Sequence, residues 1–221
     1  MKKKRNNKKI IIIFLALIVV AAVFGIRNAP RTFDDGVNIV CLDAGHGGND
    51  AGAVSKGETR LEKNDNLALT LKVKEKLEAK GIKVILTRDD DSDVSLKERC
   101  RIANWKNCDL FIAIHRNSAE NTEAKGIEAW ISNTAGVTEN KIAKATVEGI
   151  CNVAGQPNRG VKRGYRDSAV GNYYVNSKTK MPSFLLEVGF ITNDSDNEIF
   201  DSRLDDCAEA IADAVVNKFF S

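Results

Sequence analysis

Short apolar runs alternate with helically spaced apolar residues along this chain, and that alternation is the first guide to its fold. Val37 to Leu42 is a mostly apolar run that reads as a buried strand, opening onto the glycine turn Gly45-His46-Gly47-Gly48. Leu67, Leu69, Leu71, Val73 and Leu77, set among lysines and glutamates and closed by Gly81, predict a helix that starts near Glu62. A strand over Ile82 to Leu86 follows. The polar stretch Arg88 to Asp93 lacks the glycine and terminal glutamate of a calcium loop, so it reads as a solvated turn. Ser95 then caps a helix through Asn104, with Glu98 completing a capping box. Asp109 to His115 is the central strand, nearly all apolar as burial on both faces requires.

Beyond it the pattern predicts a strand over Gly126 to Ile131, a helix over Glu139 to Val153 and a glycine-rich, basic loop over Gly155 to Asn172. The very apolar Phe184-Leu185-Leu186 ends in Glu187-Val188-Gly189, and a closing helix runs from Leu204 to Phe219. Strands alternate with helices and no repeat is visible. The fold class is therefore α/β: a single three-layer domain with a largely parallel central sheet flanked by helices.

Charge changes the picture at the amino end. The chain has 221 residues and a net charge of +3, but residues 1–27 hold seven basic residues and no acid. The rest has 26 Lys and Arg against 30 Asp and Glu, so the body is mildly acidic. A mildly acidic body argues against phosphate-backbone binding as its main business, and no nucleic-acid partner is expected. Residues 10–26 are 17 consecutive apolar residues, at the short limit of the ~17–25 that span a bilayer as a helix. With lysines before it and few after it, the expected layout is a basic cytoplasmic tail over 1–9, an N-terminal membrane-anchor helix over 10–26, a linker over 27–36 and an extracytoplasmic body over 37–221. A cleaved signal peptide is the alternative, and the protein would then be secreted. Five cysteines without a Cys-x-x-Cys pair read mainly as small buried hydrophobes.

The candidate chemistry lies at strand ends. His46 and His115, the two histidines of the chain, both follow buried-looking strands, where an open α/β sheet builds its sites. Catalytic zinc takes three protein ligands from His, Asp and Glu. Glu62, at the start of the helix after the glycine turn, is the candidate third ligand, although a glutamate there also suits the helix dipole. Glu187 ends the most apolar strand, where a carboxylate is costly unless paired or used. Partial desolvation would raise its pKa and suit it to general-base work, and a buried salt bridge to a basic residue of 159–166 is the alternative.

Leu42-Asp43-Ala44-Gly45-His46-Gly47-Gly48, Glu62-Lys63, Leu86-Thr87-Arg88, Ser95 to Arg99, Phe111 to His115 and Leu186 to Asn193 together resemble the zinc-dependent N-acetylmuramoyl-L-alanine amidases of the type-3 amidase family. The resemblance covers about Val37 to Phe220. It implies a cell-wall hydrolase whose substrate is peptidoglycan, with Zn2+ as cofactor on His46, Glu62 and His115 and with Glu187 as the catalytic glutamate. It also implies a substrate-side role for Arg159-Gly160-Val161-Lys162 and Thr179-Lys180-Met181-Pro182. Arg116, where the family often has a small residue, and Asn176-Ser177, where it often has leucine-arginine, are departures that bear on stem-peptide preference. Exported hydrolases of this sort are commonly restrained, which leaves room for a protein activator, and membrane contact would run through the N-terminal helix. Two other functions stay open: a zinc peptidase cutting within the stem peptide, and an idle wall-binding domain.

Overall fold

The computed structural model describes residues 37–166 and 170–220, which belong to one compact unit beginning at Val37. The expected anchor over 10–26 and the linker over 27–36 lie outside the described residues. Among the described residues, no helix is long and apolar enough to cross a membrane.

Six strands form one sheet: β1 (Ile39–Ala44), β2 (Lys83–Leu86), β3 (Leu110–Asn117), β4 (Ile127–Ile131), β5 (Asn158–Arg163) and β6 (Ser183–Phe190). Their order is β2-β1-β3-β6-β4-β5. β2, β1, β3 and β6 are mutually parallel, while β4 runs antiparallel to β6 and carries β5 parallel to itself. The helices are α1 (Glu62–Ala79), α2 (Leu96–Trp105), α3 (Val137–Ala154), the short α4 (Tyr174–Lys178), α5 (Asp194–Ser202) and α6 (Leu204–Lys218). The expected three-layer, largely parallel α/β domain is thus the observed one.

Side-chain alternation along the strands divides the core in two. Val40, Leu42, Leu110, Ile112, Ile114, Phe184 and Leu186 face α1, α3 and α6, meeting Leu69, Val73, Ile142, Ile150, Ile211 and Val215. The opposite face is apolar mainly along its lower half, where Cys41, Phe111, Ala113, Leu185 and Trp130 meet Cys100 and Ala103 of α2 and Val175 of α4. Further along the same strands and the same face come Asp43, His115, Glu187 and Glu128. The change from apolar to polar at the carboxyl ends of the strands is what sites the chemistry. All five cysteines are buried as free thiols.

Three expectations need correction. The basic loop over 155–172 contains β5, an edge strand whose polar sequence hides it; its charged residues guard an edge that would otherwise pair with other chains. Helix α5 was not expected, although Asn193 caps it by accepting from the Asp196 N–H at 3.0 Å, with two acids in the first turn. The stretch after Arg88 is more than a solvated turn: Asp91 accepts from the Gly48 N–H at 2.9 Å and from Lys63 at 2.7 Å, strapping the glycine turn to α1. Only half of the capping box at α2 is recorded. Ser95 accepts from the Glu98 N–H, while the Glu98 carboxylate pairs with Arg101 at 2.6 Å.

Buried polar side chains lock the strand ends. The Asp43 carboxylate, 1% exposed, accepts from Thr87 at 2.6 Å and from Arg99 at 2.7 Å. Arg99 also donates to the carbonyls of Ala44, His46 and Val94, and Arg88 donates to those of Ala44, Gly45 and Lys63. Replacing Asp43 with Ala strands a buried guanidinium, and urea unfolding should show a loss of about 3–5 kcal/mol.

Candidate metal centre and active-site cavity

The site begins where β1 ends. The Gly45 N–H donates to the Ile114 carbonyl at 3.1 Å, tying the turn to β3, and His46 adopts the left-handed conformation at φ 62. That backbone is uncommon for a residue with a side chain, and here Arg99 fixes it by donating to the His46 carbonyl at 2.7 Å. Gly45 must be glycine for a local reason: a Cβ would stand 2.1 Å from the His115 ring. Gly52, at φ +68, would likewise press a Cβ to 2.7 Å from Glu62 and from the His46 ring.

His46, Glu62 and His115 converge, with one ligand atom from each lying within 4.8 Å of the others. Glu62 Oε1 is 2.9 Å from His115 Nδ1 and 3.2 Å from His46 Nε2, and the two rings stand nearly perpendicular at 5.0 Å. Glu62 is the first residue of α1. Its Oε2 accepts from the Ala53 N–H at 2.8 Å, and Oε1 accepts from Asn66 at 3.1 Å and from the Arg116 N–H at 3.2 Å. His46 Nδ1 donates to Asp50 at 2.8 Å, which turns Nε2 toward the cluster.

The electrostatics follow from a buried anion between two imidazoles. Burial disfavours charge on Glu62, but hydrogen bonds and attraction from His115 and His46 outweigh it and hold the carboxyl far below its ordinary value. Burial also opposes charge on His46, yet Glu62 and Asp50 prevail and lift its pKa to about 9. The anionic cluster therefore calls for a cation. Two imidazoles, one carboxylate and an orienting carboxylate behind one imidazole form a donor set that suits a catalytic zinc ion.

Glu187 pairs in register with His115 on β3 and with Glu128 on β4. A register shift between β3 and β6 falls just beyond His115, where Gly189 takes φ 73. Burial pushes Glu187 up to about 7, with His115 opposing the rise and Glu62 adding to it. Its Oε2 is buried and has no hydrogen-bond partner among the described residues. The salt-bridge alternative is weakly met: Arg166 Nη2 lies 4.0 Å from Oε1, longer than a hydrogen bond. Arg159 and Lys162 are instead spent on Glu128, at 2.8 Å and 3.4 Å.

A cavity of about 630 Å³ runs past His46, Glu62, His115 and Glu187, walled by Tyr165, Arg166, Tyr173 and Tyr174 opposite Val94, Ser95 and Leu96. Arg116, expected beside a ligand, turns its side chain away from it. The guanidinium is buried against Asp65, donates to Asn197 at 2.7 Å and lies over the Phe200 ring at 4.3 Å. Asn176 is also inward, donating to the Trp130 carbonyl at 2.8 Å. Asp50, Asn66 and Arg166 were missed in the sequence. For Asp50 the signal was an acid four residues beyond His46 across a glycine turn.

Imidazoles and a carboxylate gather at the carboxyl ends of parallel strands in an α/β domain, in an arrangement that could hold a metal ion. The profile of the family described as N-acetylmuramoyl-L-alanine amidase matches residues 40–217, and the chain belongs to that family. It is 36% identical over 179 residues to the uncharacterized protein YqiI of Bacillus subtilis (strain 168), covering 80% of this chain and 81% of that one. It is 34% identical to the N-acetylmuramoyl-L-alanine amidase LytC of the same organism, covering 81% of this chain and about a third (35%) of LytC. Among solved structures, an N-acetylmuramoyl-L-alanine amidase from Clostridium difficile 630 superposes with a TM-score of 0.77 at 34% identity, covering 84% of this chain and 98% of that one.

Replacing Gly45 with Ala should push the His115 ring out of the cluster. Calorimetric titration with zinc is expected to show affinity weakened about 10- to 100-fold, the range for disturbing the support of a ligand.

Proposed function

We propose that the protein is an N-acetylmuramoyl-L-alanine amidase that hydrolyses the amide between the lactyl group of N-acetylmuramic acid and the L-alanine of the peptidoglycan stem peptide. Convergence of His46, Glu62 and His115 in one cavity with Glu187, whose Oε2 has no hydrogen-bond partner among the described residues, is the observation that carries this reading. Family membership gives the bond.

In this reading His46, Glu62 and His115 would together hold a zinc ion. A zinc ion held there supplies Lewis acidity, which acidifies water and polarises a carbonyl. The remaining work falls to the chain. Asp50 fixes the His46 tautomer by accepting its Nδ1 proton, and Asn66 and the Ala53 N–H keep Glu62 aimed inward. Glu187 is the general base: its carboxylate takes a proton from the attacking water and returns it to the amide nitrogen as the carbon–nitrogen bond breaks. The products are a muramoyl carboxylic acid and a peptide with a free L-alanine amine. An orphaned, desolvated carboxylate oxygen is suited to hold that proton in transit.

The substrate sets the place of action outside the cytoplasm. The basic residues 1–9 and apolar residues 10–26 support attachment to the membrane there. One of the similar structures, the CwlD amidase of Clostridioides difficile, is in complex with the GerS lipoprotein, which supports a protein partner as a further element of the reading.

The test uses purified peptidoglycan, with product masses recorded with and without a zinc chelator. Release of intact stem peptides bearing free L-alanine, abolished by the chelator and restored by zinc, is the expected result. Cleavage within the stem would make the protein a peptidase instead. Glu187→Gln keeps the shape and removes the base, so turnover should fall by about 100-fold or more with zinc content unchanged.

A further inference from the structure

The cavity holds three arginines, and two of them are committed. Arg99 is taken up by Asp43 and by the carbonyls of Ala44, His46 and Val94, and the buried Arg116 by Asp65 and Asn197. Arg166 differs. Its side chain is 38% exposed and lines the cavity. It is also tethered: Nη1 donates to the Ser118 carbonyl at 3.2 Å, and Nη2 donates to Asn117 Oδ1. The preceding ring of Tyr165 stands edge-on to Tyr173 at 4.8 Å, and Tyr173 to Trp130 at 5.7 Å, so the segment is fastened to the sheet through an aromatic chain.

A half-exposed guanidinium held in place is a prepared anion site, since little side-chain freedom is left to lose on binding. Its surroundings say which anion. Away from the proposed zinc centre, whose ion would offset Glu62, the carboxylates of Asp50, Asp93 and Glu187 line the cavity and disfavour an anionic substrate group, and Arg166 is the exposed cation set against them. The muramoyl half of the proposed substrate carries no charge once its lactyl carboxyl is in the amide. Free carboxylates sit only on the peptide half.

Resting on the amidase reading, we propose that Arg166 is a specificity-determining residue that binds a carboxylate of the stem peptide close to the scissile amide. Its position 4.0 Å from Glu187 limits the reach to the residue following L-alanine. The peptide half of the substrate therefore lies toward the Tyr165–Arg166 wall. An enzyme built this way discriminates between a free carboxylate at that residue and the corresponding carboxamide. The amide cannot accept a paired, charge-assisted contact from the guanidinium.

The experiment compares two N-acetylmuramoyl-L-alanyl dipeptides that differ only in whether the second residue ends in a carboxylate or a carboxamide. Each is assayed for kcat and KM with the zinc-loaded wild-type protein, Arg166→Gln and Arg166→Lys. The wild type should favour the carboxylate substrate by about tenfold or more in kcat/KM, as expected for a hydrogen bond to a charged group. Arg166→Gln should lose that preference, chiefly through a raised KM for the carboxylate substrate, so that kcat/KM for the two substrates converges. Arg166→Lys should recover part of it. If Arg166→Gln slows both substrates equally through kcat, the arginine serves only Glu187 and the proposal is overturned. An unchanged preference in Arg166→Gln overturns it as well. If the wild type frees L-alanyl peptide from neither substrate nor from peptidoglycan, the amidase reading fails and the proposal fails with it.

Discussion

One buried carboxylate sets the terms for this structure. Glu62 lies at the start of a helix, out of solvent, with both imidazoles of the chain against one of its oxygens. An isolated anion there would be prohibitive, so every neighbouring element is arranged to answer its charge. Ala53, beyond the glycine turn, donates its N–H, Asn66 donates an amide, β3 donates the Arg116 N–H, and the two histidines close the remaining directions. The same demand that lifts the His46 proton affinity is one a divalent cation satisfies better, because it can be shared among all three side chains. The cluster is thus a physical consequence of bringing β1, β3 and α1 together, and Glu187 is its counterpart on β6.

Holding the turn in place is mostly the task of arginines. Arg88 and Arg99 reach from the segment after β2 and from α2 to gather the carbonyls of Ala44, Gly45 and His46 at the turn and of Lys63 in α1. Arg116 does similar work on the opposite face by joining Asp65 of α1 to Asn197 of α5. Their burial is tolerable because each is multiply hydrogen-bonded, and Arg99 and Arg116 also face the carboxylates of Asp43 and Asp65. This frame lets glycines at Gly45 and Gly52 bring backbone within touching distance of His115, His46 and Glu62 without loosening the site.

Much of this was legible in the sequence because apolar patterning is a local signal. The strands ending at Ala44, Asn117 and Phe190 are nearly all apolar, and His46, His115 and Glu187 interrupt that pattern at their ends. Glu62 was legible from the position of a helix start. What stayed hidden depends on partners distant in sequence. β5 is polar because it is an edge, so it has no apolar run to read. The antiparallel direction of β4 against β6 leaves no mark in residues 127–131. Arg116 sits next to a ligand candidate in sequence, but alternation along the strand turns it to the other face, away from substrate. Arg166 could not be told from the other basic residues of its loop until Arg159 and Lys162 were seen to be bound to Glu128.

The central claim is that His46, Glu62 and His115 form a single zinc centre beside Glu187. The most direct test is anomalous diffraction at the zinc edge from crystals of the zinc-loaded protein. The account predicts one dominant peak within coordination distance of His46 Nε2, the Glu62 carboxylate and His115 Nδ1. A dominant peak elsewhere, for example on the aspartates of residues 89–93, with those three side chains bonded only to one another, would contradict it.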